Sequence, residues 1–386
     1  MRVGAVSVAR SDFSILRPVL RRLEEDASYA LAVVVAGMHL APEFGLTVRE
    51  VEAEGFNIVE RVEMNVASDS PTGTALSIGL GCIGFGTLFA RWRPDVLLVM
   101  GDRFEMFAAA LAAQSFGLPV VHIHGGETSE WAVDEAYRHA ITKMSQVHFT
   151  ATEQYRKRVI QLGEHPDRVF NCGAPALDNL PGVEQVSMAA LSTRLGLDLH
   201  SGPIVVTLHP ETRRLEETRN LINSVTEVLE SLDHPIVITA PNADPAGRMI
   251  KAAFASFALK RQNVATVDNL GVEGYYQLLS HARLMLGNSS SGIIEAASFE
   301  LPVVNIGVRQ RGRICGDNVL HAEATAEAIG CAVEKALSGA FRNRLTGMDN
   351  PYGDGNAAEQ IAATLRYVDI SSSALLKKFY DVPVPA

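Results

Sequence analysis

The chain has 386 residues, 47% of them hydrophobic and 20% charged, which is enough for two or three domains with buried cores. A formal net charge of −10 argues against a nucleic-acid partner, which needs an extended basic surface to displace counterions, but it leaves room for one nucleotide held by a few local arginines. The start, MRVGAVSVARSDF, lacks a basic segment followed by a long apolar run and predicts no secretory leader. Cys82, Cys172, Cys315 and Cys331 stand alone with no C-x-x-C pair, which fits a reducing, cytoplasmic setting and gives no zinc signature.

Short β-rich runs alternate with helix-length segments along the chain. The first half predicts strands at Val3–Val8, Leu31–Ala36, Val96–Met100, Val120–His124 and Val147–Thr150. The second half predicts Ile204–Leu208, Ile236–Ala240, Val264–Val267, Leu284–Leu286 and Val303–Ile306. Most are continuous apolar runs, as required of strands buried on both faces of a parallel sheet. The alternation therefore predicts an α/β chain of two Rossmann-like, doubly wound domains. Pro175, Pro181, Gly182, Gly202 and Pro203 punctuate the weakly patterned stretch between them. This places a first domain at 1–178, a second at 179–366, and a C-terminal helix at 367–386 packing back on the first, with the stretch Ala357–Tyr380 reading as one or two helices. Ligands of such sheets bind beyond the carboxyl ends of the strands, so the residues just after each strand are the candidates.

Taken in order, the first strand ends in Arg10-Ser11-Asp12-Phe13-Ser14. Ser11 or Asp12 is suited to cap the following helix, and the Arg and Ser there also suit an anion at a helix N-terminus. Pro71–Ala90 carries no charge but five glycines, and reads as a packed interior helix rather than a membrane span. Its Gly79-Leu-Gly81-Cys-Ile-Gly84 matches the dinucleotide fingerprint, yet no strand precedes it, so the glycines read as helix packing and no NAD site is expected. Gly101-Asp102-Arg103-Phe104-Glu105 follows an apolar strand. His122-Ile-His124-Gly-Gly-Glu127 puts two histidines on one strand face; an H-x-H pair can hold a metal, but no third-ligand motif accompanies it. Glu127, Asp134 and Asp102 are expected to converge at the mouth of one sheet, where crowding and desolvation bring carboxylate pKa values into a working range. Asp134 and Glu135 also suit an ordinary acidic helix start.

In the second half, His209-Pro-Glu211-Thr212 and Asn242-Ala-Asp244 follow strands. Asn288-Ser289-Ser290-Ser291-Gly292 follows another and opens a helix that holds Glu295. Hydroxyls and free backbone N–H groups there make a diphosphate cradle, with Glu295 suited to ribose hydroxyls. Arg309, Arg311 and Arg313 follow the next strand, as phosphate partners or as a solvated loop. No Walker A sequence is present, so ATP chemistry is not expected.

On these motifs, in this order, the chain resembles the hydrolysing UDP-N-acetylglucosamine 2-epimerases of sialic acid synthesis and their close relatives. The likeness runs through R-S-D-F-S at 10–14, G-M-H at 37–39, G-D-R-F-E at 101–105, H-I-H-G-G-E at 122–127 and D-E-A-Y-R-H-A-I-T-K-M-S at 134–145. It continues through R-V-I-Q-L-G-E at 158–164, H-P-E-T at 209–212, N-A-D at 242–244, G-N-S-S-S-G at 287–292 and R-Q-R-G-R at 309–313. The resemblance implies a GT-B type fold with the active site in the interdomain cleft and UDP held mainly by the second domain. It implies no cofactor and no metal. UDP is eliminated with the C2 proton to give a glycal; water then adds at C1 and a proton returns to C2 on the other face, releasing N-acetylmannosamine. Asp102, Glu127 and Asp134 match the essential carboxylates, and His209 and Arg313 match diphosphate ligands. Arg10, Ser14, Ser290, Ser291 and Glu295 complete the nucleotide site, with Asn242, Ser289 and Arg309 beside it, and His39 and Arg103 lie near the sugar. The family commonly forms homodimers or homotetramers.

A sibling group acts on UDP-2,4-diacetamido-2,4,6-trideoxy sugars with nearly the same motifs. The bulky Trp131, within T-S-E-W-A-V at 128–133, is an apolar wall that would suit a 6-deoxy sugar. N-acetylglucosamine is the first expectation and the diacetamido sugar the second. A GT-B glycosyltransferase, a metallohydrolase built on His122 and His124, and a non-catalytic UDP-sugar binder are the rival classes.

Overall fold

The computed structural model describes residues 1–68, 70–129, 133–180, 187–210, 217–241, 247–370 and 376–383. Seven strands form the first sheet: β1 (Arg2–Ser7), β2 (Ala30–Ala36), β3 (Ile58–Val62), β4 (Val96–Met100), β5 (Val120–Ile123), β6 (Val147–Thr150) and β7 (Val169–Asn171). Six form the second: β8 (Ile204–Thr207), β9 (Ile236–Thr239), β10 (Val264–Val267), β11 (Leu284–Gly287), β12 (Val303–Ile306) and β13 (Val319–Ala322). The orders are β3-β2-β1-β4-β5-β6-β7 and β10-β9-β8-β11-β12-β13. All pairings are parallel. Each order reverses at one point, between β1 and β4 and between β8 and β11, and such switch points are where doubly wound sheets bind ligands.

The chain divides into one compact unit of 1–127, 134–178 and 352–386 and another of 128–133 and 179–351. In the first unit both sheet faces are covered. Helices Arg10–Glu24 and Ala357–Leu365 bury Leu16, Leu20, Ile361 and Leu365 with Val3, Val33 and Leu98 on one side. Helices Pro71–Arg91 and Phe104–Ser115 bury Phe85, Phe89 and Ala109 with Leu97 and Val99 on the other. The second unit repeats the pattern around Val206, Ile238, Leu286 and Val304.

Three features differ from the sequence reading. The return to the first unit comes at Tyr352 rather than after 366, and the C-terminal helix covers Ala357–Leu365, the first part of the Ala357–Tyr380 stretch, rather than 367–386. Its buried face is Ala358, Ile361, Ala362 and Leu365, and Asp178 caps it by accepting from the N–H groups of Ala357 (3.0 Å) and Ala358 (2.6 Å). Residues 376–383 are not helical; Tyr380 N–H instead donates to the Gly163 carbonyl (2.9 Å). Helix Pro71–Arg91 is long and apolar enough to cross a membrane by length and composition, yet in the fold it is half-buried rather than interior. Gly81, Phe85, Leu88 and Phe89 are buried, whereas Leu76, Leu80 and Ile83 stand exposed. The reading of its glycines as packing residues holds for two of the three. A Cβ on Gly81 would come within 2.9 Å of Ala108 Cβ, and one on Gly84 within 2.6 Å of Val62 Cγ1, while one on Gly79 would meet nothing.

Candidate functional site

In the first unit the candidates gather at the carboxyl ends of β1, β4 and β5. After β1 the chain enters helix Arg10–Glu24 with Ala9 at the cap position and no side-chain cap bond, so neither Ser11 nor Asp12 caps it. Arg10 is exposed at that helix start, and the Ser14 hydroxyl donates to the Arg10 carbonyl (2.9 Å). Asp12 faces Arg103, with 3.8 Å between Oδ2 and Nε. Burial pushes its carboxyl up to about 7, with Arg103 opposing and Glu105 and Asp102 assisting.

Arg103 is committed to protein contacts. Its Nε and Nη2 donate to the fully buried Glu105 (3.1 Å each), and Nη2 also contacts Met38 Sδ (2.8 Å). His39 is fully buried; Nε2 shares a hydrogen bond with Ser7 Oγ (2.9 Å) and Nδ1 one with Thr47 Oγ1 (2.7 Å). Burial lowers it to about 4, so it is neutral and secures the chain after β2. Both ring nitrogens are engaged by protein hydroxyls.

Asp102 follows Gly101, whose φ of +75° makes the turn at the end of β4. Across from it, His122 of β5 donates from Nε2 to the Gly101 carbonyl (2.8 Å), and its Nδ1 lies 3.1 Å from Thr142 Oγ1. Burial brings His122 down to about 3. His122 and His124 do not share a strand face. β5 ends at Ile123, and His124 takes φ +65°, a left-handed conformation costing about 1–2 kcal/mol for a residue with a Cβ. Two bonds hold it there: its N–H donates to the Phe149 carbonyl (2.9 Å), and its carbonyl accepts from Arg138 Nη1 (2.8 Å). Its side chain turns to Glu127, with 2.5 Å between Nδ1 and Oε1.

Arg138 joins these groups. It is 2% exposed, pairs with Asp102 through Nη2, and has Nη1 3.9 Å from Glu127 Oε2. A buried guanidinium offsets two carboxylates that would otherwise be costly to desolvate. Asp134 is the first residue of helix Asp134–Met144, one turn before Arg138. The structure thus brings Asp102 and Glu127 together through Arg138 and starts the same helix with Asp134. Trp131 lies outside the described residues. Among the described residues, no three His, Cys, Asp or Glu side chains are grouped to hold a metal ion.

In the second unit Asn288 organises the site. Gly287 ends β11 at φ +143°, and any Cβ there would collide with the Thr207 carbonyl of β8. That close approach lets the fully buried Asn288 exchange two hydrogen bonds with His209, accepting from its N–H (2.7 Å) and donating to its carbonyl (2.8 Å). Its own carbonyl accepts from Arg309 Nη1 (3.1 Å) and Gln310 Nε2 (2.9 Å). His209 is buried and held neutral, its pKa well below the usual value by burial and then by Arg309.

Ser290 sits at the cap position of the short helix Ser291–Ile294 but makes no side-chain cap bond. Ser289 Oγ accepts from the Ser291 N–H (3.3 Å), and Ser291 Oγ accepts from Tyr275 (2.9 Å). The helix holds one turn only, and Glu295 falls at its join to a 3₁₀ turn, Ala296–Phe299. Arg313 is partly buried in the loop after β12, and Arg311 is exposed. Asn242, Glu211 and Thr212 lie outside the described residues. The order β8-β11-β12 therefore sets His209, the serines and the arginines side by side, a neutral imidazole, hydroxyls and guanidinium groups suited to a diphosphate.

A family model described as UDP-N-acetylglucosamine 2-epimerase matches residues 21–366. The chain belongs to that family. It is 36% identical over 372 residues to the hydrolysing UDP-N,N'-diacetylbacillosamine 2-epimerase of Legionella pneumophila, covering 96% of this chain and 97% of that protein. It is 34% identical over 324 residues to the hydrolysing GDP/UDP-N,N'-diacetylbacillosamine 2-epimerase of Campylobacter jejuni, covering 83% and 84%. Among solved structures, the UDP-GlcNAc 2-epimerase of Neisseria meningitidis bound to UDP-GlcNAc superposes with a TM-score of 0.83 at 19% identity, over 95% of this chain and all of that one. The fold is thus of the GT-B type. Arg138, Asn288 and Gln310 are the members of the site that sequence reasoning did not assign. Arg138 had a visible signal, one turn after Asp134 on one helix face; Asn288 and Gln310 stand inside the quoted motifs, but their roles were not legible because their partners are remote in sequence.

Proposed function

We propose that the protein is a hydrolysing UDP-sugar 2-epimerase. The observation that carries this reading is the Arg138-centred pair Asp102 and Glu127 with Asp134 opening the same helix. Removing a proton from C2 while a diphosphate departs from C1 needs a base, a relay for water, and stabilisation of the leaving charge. The first unit's carboxylates serve the proton transfers. The second unit's His209, Ser289, Ser290, Ser291, Arg309 and Arg313 serve the diphosphate, with Glu295 on the ribose. UDP leaves with the C2 proton lost, a 2-acetamidoglycal forms, and water adds at C1 as a proton returns to C2.

For the sugar, the two relatives at 36% and 34% identity are both named for diacetylbacillosamine, which favours UDP-2,4-diacetamido-2,4,6-trideoxy-glucopyranose. The family description favours UDP-N-acetylglucosamine as a second reading. Supplying each sugar separately and following UDP release gives the choice: the proposal expects at least tenfold higher kcat/KM for one, the diacetamido sugar first. Asp134→Asn is expected to cut turnover by about 10²–10⁴, with UDP affinity within threefold by calorimetry. Turnover near wild type in that variant would remove Asp134 from the chemistry. Self-association into a dimer or tetramer, in the cytoplasm, belongs to the same proposal, and light scattering measures the mass.

A further inference from the structure

His124 is the motif residue to which the proposed chemistry gives no part, and its setting is unusual in three ways. It is 7% exposed and held at φ +65° by backbone bonds to Phe149 and Arg138. Its Nδ1 lies 2.5 Å from a Glu127 oxygen. Its Nε2 is buried with no hydrogen-bond partner among the described residues.

A carboxylate accepts but does not donate, so the short contact to Glu127 places the proton on Nδ1 and leaves Nε2 with its lone pair free. That is the arrangement in which a buried carboxylate fixes the tautomer of a general-base imidazole and then stabilises the imidazolium. Among the described residues, charged and titratable groups around the pair include Arg138, from helix Asp134–Met144, His122, in β5, and Arg158, which donates to the Gly126 carbonyl. Arg138 neutralises Asp102 and stands beside the outer Glu127 oxygen, which keeps Glu127 an anion and an acceptor.

We propose that His124 Nε2, not Glu127, is the group that takes the C2 proton, and that Glu127 is a positioning residue acting through it. The inference rests on the 2-epimerase reading and deepens it. In the step, Nε2 takes the proton from C2 and the C2–H electrons form the C1=C2 bond. The C1–O bond breaks and its electrons leave with UDP. The imidazolium so formed lies against the Glu127 carboxylate and gives up its proton to water before the next cycle. The proton that later enters C2 from the other face comes from a different acid.

The decisive variant is His124→Asn. Asn tolerates the left-handed backbone, and its side-chain amide sits where Nδ1 does, so it can still donate to Glu127; only Nε2 is lost. The expected result, by proton NMR on whichever sugar the wild type accepts, is a loss of at least 10³-fold in UDP release with UDP affinity within threefold. Water addition to the synthetic 2-acetamidoglycal in the presence of UDP is expected to stay within tenfold of wild type. Glu127→Gln is expected to keep a measurable rate of UDP release, reduced from the wild type, because the imidazole has lost the carboxylate that fixes its tautomer.

UDP release by His124→Asn within tenfold of wild type would overturn the assignment. So would a Glu127→Gln enzyme with no measurable UDP release while His124→Gln retains it. If His124→Asn loses UDP affinity as well, His124→Gln, which puts its amide nitrogen near Nε2 and frees Glu127, takes its place under the same criteria. A wild type that releases no UDP from either sugar would count against the 2-epimerase reading itself, a result separable from any outcome with the variants.

Discussion

Partly exposed Asp102 and buried Glu127 share the Arg138 guanidinium, and their geometry depends on neighbours that stay uncharged. His122 holds the Gly101 carbonyl and so the turn that presents Asp102. Its pKa of about 3, and the value of about 4 for His39, mean that folding keeps both neutral where the unfolded chain would protonate them. Between pH 6.5 and those values the unfolded state binds more protons, so stability is fully present above 6.5 and is lost as pH falls. Each pH unit in that window costs about 1.4 kcal/mol per histidine. Asp12, raised from 3.8 to about 7, works the other way, its contribution declining as pH rises between those values. Urea unfolding at about pH 7.5 and about pH 5 is expected to show a shallower loss for His122→Gln than for wild type; equal losses would mean that His122 is not held neutral.

At the scale of elements, two glycines of one apparent fingerprint are expected to respond with opposite signs. Gly79→Ala meets open space in a helix and is expected to stabilise by about 0.5–1 kcal/mol. Gly81→Ala drives a methyl between Met64 and Ala108 and is expected to destabilise by about 1–3 kcal/mol. Thermal melts of the two variants check the pair, and shifts of the same sign would contradict the packing described for helix Pro71–Arg91. The interior strands are legible in the sequence because burial on both faces makes them unbroken apolar runs, as in VLLVM of β4. β3, β7 and β13 are not, since they are sheet edges: Glu60 and Arg61, Asn171, and His321 interrupt them. The C-terminal helix ends sooner than the pattern suggests, and the end is not legible because no proline or glycine separates Ala357–Leu365 from the residues after it. Residues 376–383 are tied down instead by Tyr380 and by Lys377, which pairs with Glu164. In the site, residue types at strand ends are legible. The Arg138 link and the His124–Glu127 contact are not, because a positive φ at His124 overrides the strand alternation on which the H-x-H reading relies.

For the whole molecule, one type of strand order recurs in both sheets, and each reversal of order carries its own set of polar side chains. At β1–β4 and the adjoining β5 stand the carboxylates and His124; at β8–β11 and β12 stand His209, the serines and the arginines. The second set rests on the close approach of β11 to β8 at Gly287, which a side chain would block. One set suits proton transfer and the other a departing diphosphate, as the proposed 2-epimerase reaction requires. The most direct measurement is proton NMR of the purified protein with each UDP-sugar in D₂O containing EDTA. The expected result is release of UDP and of the 2-epimerised free sugar carrying deuterium at C2, because the C2 proton is lost in the elimination and returned from solvent. UDP release with the original C2 configuration and hydrogen retained would mean simple hydrolysis and would contradict it.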